Sequence, residues 1–340
     1  MKTKQLLLSC AIVLLCTIVS VAQNPVATLE HAGATQVFSG QNSFVEAYNA
    51  SANGDQIYLS TGFFTPPPAI EKGIKIIGAG HFPDSLSVAK RTFVMGGLTI
   101  NKGADSLRLE GMYINGDIRY QGDASINYVK IIRCRLVNAN FNSNSTNASK
   151  NHCSFEECFI EGQIDFSNYG ESLNIYHSVI SSRLNNISGS ALIEGNLFMF
   201  YEYLLINING SLIKNNIILS HLFHPNYSST SNTITNNLFV LSSIDFGTNS
   251  SSNNYLGVPQ ADIFINQTGN AIDYTHDYHL KNPEKYIGTD GTQVGLYGGT
   301  TPFKEKGLPS NPQVIKKNIA DQTDANGNLP INFTVKAQKN

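Results

Sequence analysis

The chain has 340 residues, a formal net charge of −2 and only 14% charged residues, well under the roughly 25% of an average soluble protein. It carries no basic run or stripe, which argues against nucleic acid as a partner. It also has no tryptophan, which leaves any sugar-stacking role to tyrosine.

The N-terminus reads Met1-Lys2-Thr3-Lys4, then an apolar run over residues 6–22 that ends in Ser20-Val21-Ala22. This predicts a secretory signal peptide over residues 1–22, too short and wrongly flanked for a membrane anchor. Neither Cys10 nor Cys16 is placed as a lipid-bearing cysteine. The expected address is therefore secreted, periplasmic or extracellular, with no transmembrane segment after signal removal. Residues 23–41 read as a leader crossing to the body. Residues 42–50 read as a short amphipathic helix that caps an open sheet end, followed by a first strand at Ile57-Tyr58-Leu59. Thr65-Pro66-Pro67-Pro68 is a rigid turn, and residues 74–80 are the next strand with a tight glycine exit.

From Phe93 onward one pattern returns, clearest between Ile131 and Tyr255. Two short apolar runs flank a small polar residue, as in Ile131-Ile132-Arg133-Cys134-Arg135-Leu136 and Ile213-Lys214-Asn215-Asn216-Ile217-Ile218. The central position is Cys134, Cys158, Ser178, Asn196, Asn216, Asn237 and Asn254, with spacings of 24, 20, 18, 20, 21 and 17 by subtraction. Met112 is the candidate start of the column. A period of roughly 20 residues marks a solenoid. β-Branched and aromatic residues without a helical stripe make it a β-solenoid. An inward amide can donate and accept at once, so stacked asparagines satisfy one another and the bend backbone. The fold class is all-β: a right-handed parallel β-helix with an N-terminal helical cap over residues 23–304, then a C-terminal β-hairpin tail over 305–340.

Cys134 and Cys158 should stack on consecutive coils, with Cα atoms roughly 4.8 Å apart. That separation permits a disulfide, but stacked side chains run alongside each other, which favours a reduced pair. No histidine stands beside both thiols, so a metal site there is not expected. The Ser/Asn-rich stretch 142–151 reads as a loop thrown off one coil. Tyr278-His279-Leu280-Lys281 reads as a last strand and residues 288–295 as a closing loop. In the tail, Ile331, Phe333, Val335 and Ala337 alternate, Asn326-Gly327 forms the turn, and the hairpin should pack on the last coil or meet a partner.

Gly54-Asp55-Gln56-Ile57-Tyr58-Leu59-Ser60-Thr61-Gly62, residues 74–80, the Asn column and the glycine-rich stretch from Gly288 to Gly299 together resemble secreted β-helix proteins of the pectin-lyase-like superfamily, Bacteroidetes type. The resemblance covers most of the chain and implies the fold far more than an activity. The family's enzymes cleave acidic polysaccharides, the lyases through calcium-holding carboxylates and a basic residue. The polygalacturonase motifs Asp-Asp, Gly-His-Gly and Arg-x-Lys are absent here.

The face after each Asn bend carries Arg119, Tyr120, Asp165, His224 and Asp245, which could form a glycan-binding stripe with Phe166 and Phe246 beside it. Asp165 and Asp245 lie four coils apart, roughly 19 Å, too far for one calcium or for a carboxylate pair across one glycosidic bond. Arg133 and Glu157 share a position on consecutive coils and read as an exposed structural ion pair, with His177 next in the column. The expected function is a secreted, non-catalytic β-helix protein that binds polysaccharide or a cell-surface glycan or serves structurally, with no cofactor. The alternative is a divergent polysaccharide lyase acting on acidic glycans, the one case in which calcium could serve as a cofactor.

Overall fold

Each repeat becomes one coil of a parallel β-helix in the computed structural model, which describes residues 24–83, 91–142, 148–167, 171–187, 189–199, 204–221 and 228–337. The expected signal peptide lies outside the described residues. Three sheets run along the solenoid. Among the described residues sheet 1 has twelve strands, sheet 2 nine and sheet 3 six. No helix among the described residues is long and apolar enough to cross a membrane.

Sheet 1 strands are about three residues long, and the middle residue points inward. Register aligns Ile57, Ile76, Leu109, Ile131, Phe155, Ile175, Ile193, Ile213 and Ile234 in one stack, all fully or almost fully buried. Burying such a side chain contributes about 1.5–3 kcal/mol, repeated once per coil. The residues on either side of it face outward.

The corner between sheets 1 and 2 takes two residues. The first adopts the left-handed conformation at Arg133, Glu157, His177, Asn215, Asn236 and Asn253, with Gly111 and Gly195 on other coils. The second points inward and is the column read from the sequence. Asn196, Asn216 and Asn237 are fully buried. The Asn216 Oδ1 accepts from Asn196 N–H at 2.9 Å, while its Nδ2 donates to Ile193 O at 2.9 Å and to Asn237 Oδ1 at 2.9 Å. Ser178 and Cys158 continue the column with one bond per coil.

A second inward column, unseen in the sequence, precedes sheet 1 at Leu107, Val129, Cys153, Leu173, Ala191, Ser211, Asn232 and Asn249. It ends in its own ladder, with Asn249 Oδ1 accepting from Asn232 N–H at 2.9 Å. It also accounts for the third cysteine. Cys134, Cys153 and Cys158 are all free and buried. Burial pushes the Cys134 and Cys153 thiols up to about 12 and Cys158 well above its ordinary value, so they pack as thiols.

The ends depart from the sequence reading. The described part of the expected leader, residues 24–41, is folded into the body. β1 (Val26–His31) and β2 (Ala34–Ser39) form an antiparallel pair that extends sheet 1 beyond Gln56–Leu59. Helix α1 (Ser43–Ala50) does cap this end, burying Phe44, Ala47 and Tyr48. The stretch 142–151 ends in a strand, Lys150–Asn151, parallel to Ile126–Asn127.

At the other end, Asp277–Leu280 is not a coil strand. It pairs antiparallel with Phe264–Asn266, outside the solenoid. From Tyr255 the chain turns back as a strap along the outer face of sheet 2. Ile263, Phe264, Leu280, Val294 and Leu296 there bury Val179, Leu197, Ile217 and Leu238. From Phe159 onward sheet 2 is consequently apolar on both faces.

The hairpin of Gln313–Ile319 and Ile331–Lys336 forms as expected. Asp324 Oδ1 accepts the N–H groups of Asn326 and Asn328 at 2.9 Å each, which makes that stretch a turn. The hairpin does not cover the last coil, because the strap has carried the chain back to Glu110, where it binds Ser310 N–H. Ile331, Phe333 and Val335 are 53–57% exposed.

Candidate functional site

The left-handed corner residues form a rail, and the strap follows it coil by coil. Thr289 N–H bonds Asn215 Oδ1 at 2.9 Å and Gly295 N–H bonds Asn215 O at 2.7 Å. Lys304 N–H bonds Glu157 Oε2 at 2.8 Å. Arg133 donates to Leu308 O at 3.3 Å and Ser310 Oγ at 3.0 Å. Gly195 and Gly299 leave room for the His177 ring. A Cβ on Gly195 would stand 2.4 Å from His177 Cδ2.

The Arg133–Glu157 pair is therefore buried, not exposed. Its guanidinium spans Glu157, at 3.0 and 3.2 Å, and Glu110, at 3.3 Å. Glu110 is also held by Arg108 at 2.6 Å. The strap covers these charges, and its main-chain donors add a second bond to Glu157 Oε2 and to Glu110 Oε1. The pair's structural role stands, with a larger energetic weight than an exposed pair would have.

Between the strap and the outer face of sheet 1 lies a groove of about 750 Å³. Its floor is the outward column Ile132, Glu156, Tyr176 and Glu194, aligned by strand register and so repeating about every 4.8 Å. His177, Asp290 and the stretch from Thr300 to Lys304 form its wall. Glu194 pairs with Lys214 at 3.0 Å and Glu156 accepts from Ser154 Oγ at 2.7 Å.

Burial, then the neighbouring Glu194 and Glu156 carboxylates, pushes the Tyr176 phenol up, so it stays protonated. Burial lowers His177 and keeps its imidazole neutral against the pull of Glu157, Glu194 and Asp290. At Asp290 burial acts upward, but bonds from the Thr292 N–H and hydroxyl outweigh it and lower the carboxyl. Arg133 and Arg108 are committed to Glu110 and Glu157, so carboxylate acceptors dominate what the groove offers a ligand. Among the described residues no three His, Cys, Asp or Glu side chains are grouped to hold a metal ion.

The stripe expected on sheet 3 does not converge. In Ile118–Tyr120 only Arg119 faces out, and it pairs with Asp117 at 2.8 Å. Tyr120 points inward, 1% exposed, with its hydroxyl bound to Ala124 O. Phe166 is likewise core, stacked on Phe141 at 4.6 Å. Strand alternation sends the residue after each outward position into the interior, so neither ring can serve as a surface platform.

Asp165 lies two strands from Arg119 in the same outward column. It is only 8% exposed and accepts from Asn186 Nδ2 at 2.9 Å. Asp245 is exposed on a loop beyond the sheet, its Oδ1 accepting from Gly247 N–H at 2.9 Å. His224 lies outside the described residues. Sheet 3 also contains Leu205–Ile206, a strand the repeat does not reveal.

The groove residues Glu156, Tyr176 and Glu194 were not singled out from the sequence as a site. The available signal was their common offset from the inward stack. Comparison of the chain with protein-family models, curated proteins and solved structures gives no match.

Proposed function

We propose that this is a secreted, non-catalytic β-helix protein of the pectin-lyase-like superfamily, Bacteroidetes type, that binds a polysaccharide or cell-surface glycan. The groove between sheet 1 and the strap is the binding site. The observation that carries the reading is the outward ladder Glu156, Tyr176 and Glu194 under an open groove. Carboxylates accept hydrogen bonds from sugar hydroxyls, and a half-buried tyrosine offers a ring for a sugar face. The regular rise suits a polymer lying along the helix axis. The carboxylates Glu156, Glu194 and Asp290 along the groove make a neutral glycan the better fit, because a polyuronate would meet like charge.

The test is a glycan array probed with the secreted protein. Neutral polysaccharides should bind, and Tyr176→Ala should weaken the strongest hit at least about tenfold without shifting the melting temperature. An inert array would sink the glycan reading and leave a structural role. A second reading, polysaccharide lyase, is favoured by one observation: a neutral His177 beside Tyr176 at the groove wall. Incubation with polyuronates would then raise ultraviolet absorbance, and His177→Gln would abolish the rise. No absorbance change with the wild-type protein rejects it.

A further inference from the structure

The strap builds a second cavity on its other side. Phe303 stands between the two, lining the groove on one side and a cleft of about 310 Å³ on the other. That volume is at the small end of ligand sites, which run from about 300 to 1,000 Å³. Phe159 from sheet 2 forms the floor, stacked on Phe303 at 5.6 Å and tilted against Tyr274 at 5.6 Å. Phe82 meets Tyr274 edge-on at 4.6 Å, and Tyr297 carries His279 stacked on one face at 3.7 Å.

The phenol hydroxyls are already used by the protein. Tyr274 is bound to His81 at 2.8 and 3.1 Å, Tyr278 donates to Asp273 O at 3.2 Å, and Tyr297 reaches Glu305 at 3.4 Å. A ligand entering the cleft therefore meets ring carbon. At the rim it meets three carboxylates, Asp273, Asp277 and Glu305. The bonds that Asp273 and Asp277 make to described residues fall on Oδ1: Thr275 N–H and hydroxyl at 2.8 Å each, and His279 N–H and Nδ1 at 3.0 and 2.8 Å. These bonds also lower both carboxyls, and each Oδ2 remains for a ligand. Arg135 lies over the Tyr274 ring at 4.8 Å, but Glu161 holds it at 2.6 Å. It shows that the aromatic cluster accepts a cation, and its charge acts on Asp273 only as a minor pull beside the Thr275 bonds.

We propose that this cleft binds a compact organic ammonium group, such as a quaternary or methylated amine, seated on the aromatic floor and facing Asp273, Asp277 and Glu305. Methylated ammonium combines apolar contact with positive charge, the two properties the lining asks for. An anion would meet three like charges. A sugar would meet rings whose hydroxyls are already engaged, so the cleft is distinct in chemistry from the groove.

The probe is choline, titrated calorimetrically at mildly alkaline pH against its neutral isostere, in which carbon replaces the ammonium nitrogen. Choline should bind with millimolar or tighter Kd, and the isostere at least about tenfold more weakly. Glu305→Gln, on the exposed rim, and Asp277→Asn should each weaken choline severalfold with the melting temperature unchanged, while Arg119→Ala should leave it unaffected. Sedimentation with phosphatidylcholine vesicles separates the two sources of the group. Co-sedimentation assigns the cleft to a lipid headgroup, its absence beside choline binding assigns it to a free solute, and either supports ammonium recognition. Equal affinity for choline and the isostere, or no saturable choline binding at tens of millimolar, overturns the proposal.

Discussion

Sheets 1 and 2 share the same interior and differ on the outside. In sheet 1 the residues flanking the inward stack are mostly polar or charged, with Ile132 and Leu192 among the exceptions, and the face is open to the groove. In sheet 2 the two-residue strands from Phe159-Ile160 onward are apolar at both positions, as in Val179-Ile180, Leu197-Phe198 and Ile217-Ile218, whereas the earlier Arg135-Leu136 carries a charge outward. One residue of each enters the core and the other is covered by the strap. An apolar pair in a short parallel strand means two covered faces; an apolar residue between polar ones means a single covered face. The difference decides where a ligand can reach: sheet 1 supplies a site directly, whereas sheet 2 does so only through the layer laid over it.

The sharpest way to break this comparison is to attack the fastening between the two layers. Arg133→Met leaves Glu110 and Glu157 buried without their shared cation, and should cost about 3–5 kcal/mol in denaturant unfolding. A loss below about 1 kcal/mol would mean that the strap contributes little.

Next in size is the ladder between the sheets. Asn216→Ala strips an acceptor from Asn196 N–H and a donor from Ile193 O, both buried. It should destabilise by about 1–3 kcal/mol per orphaned group, with no effect on glycan or choline binding measured below the transition.

A third test uses pH. Burial, aided by Arg135 and Arg91, lowers His81 to about 3, below the ordinary histidine value of about 6.5. As pH falls, the unfolded chain therefore takes up this proton first. The stability contributed is full above about pH 6.5 and is lost toward pH 3, at up to about 1.4 kcal/mol per pH unit. His81 lies under the strap, where a Cβ on Gly307 would come 2.0 Å from its ring. Urea unfolding at descending pH should show the slope in the wild type and a flatter one in His81→Gln; parallel slopes would reject this origin. The smallest effect belongs to sheet 3. Arg119→Ala removes an ion pair whose arginine is 57% exposed, and should change stability by about 0–1 kcal/mol and glycan binding not at all.

These outcomes track what could be read beforehand. The Asn column was legible because each ladder residue bonds to the residue one coil away, about 20 positions along the chain. The Cys153 column was hidden because its members, from Leu107 and Ala191 to Asn249, share inward direction and little chemistry. Tyr120 and Phe166 were misassigned to a surface because one step along a strand reverses the face. Arg133, Glu157 and His177 were correctly placed on successive coils, but their burial depended on something the repeat does not contain.

The amino-acid sequence alone determined that this chain is a parallel β-helix with a capped start and a hairpin tail, because a solenoid is built from contacts between neighbouring repeats and each repeat carries its own instructions. Tertiary structure alone decided where the groove and the aromatic cleft lie. Both depend on the strap's return, which joins Lys304 to Glu157 and Ser310 to Glu110 across 147 and 200 residues. A contact made once over such a separation leaves no period in the sequence, and only closure of the fold brings its partners together.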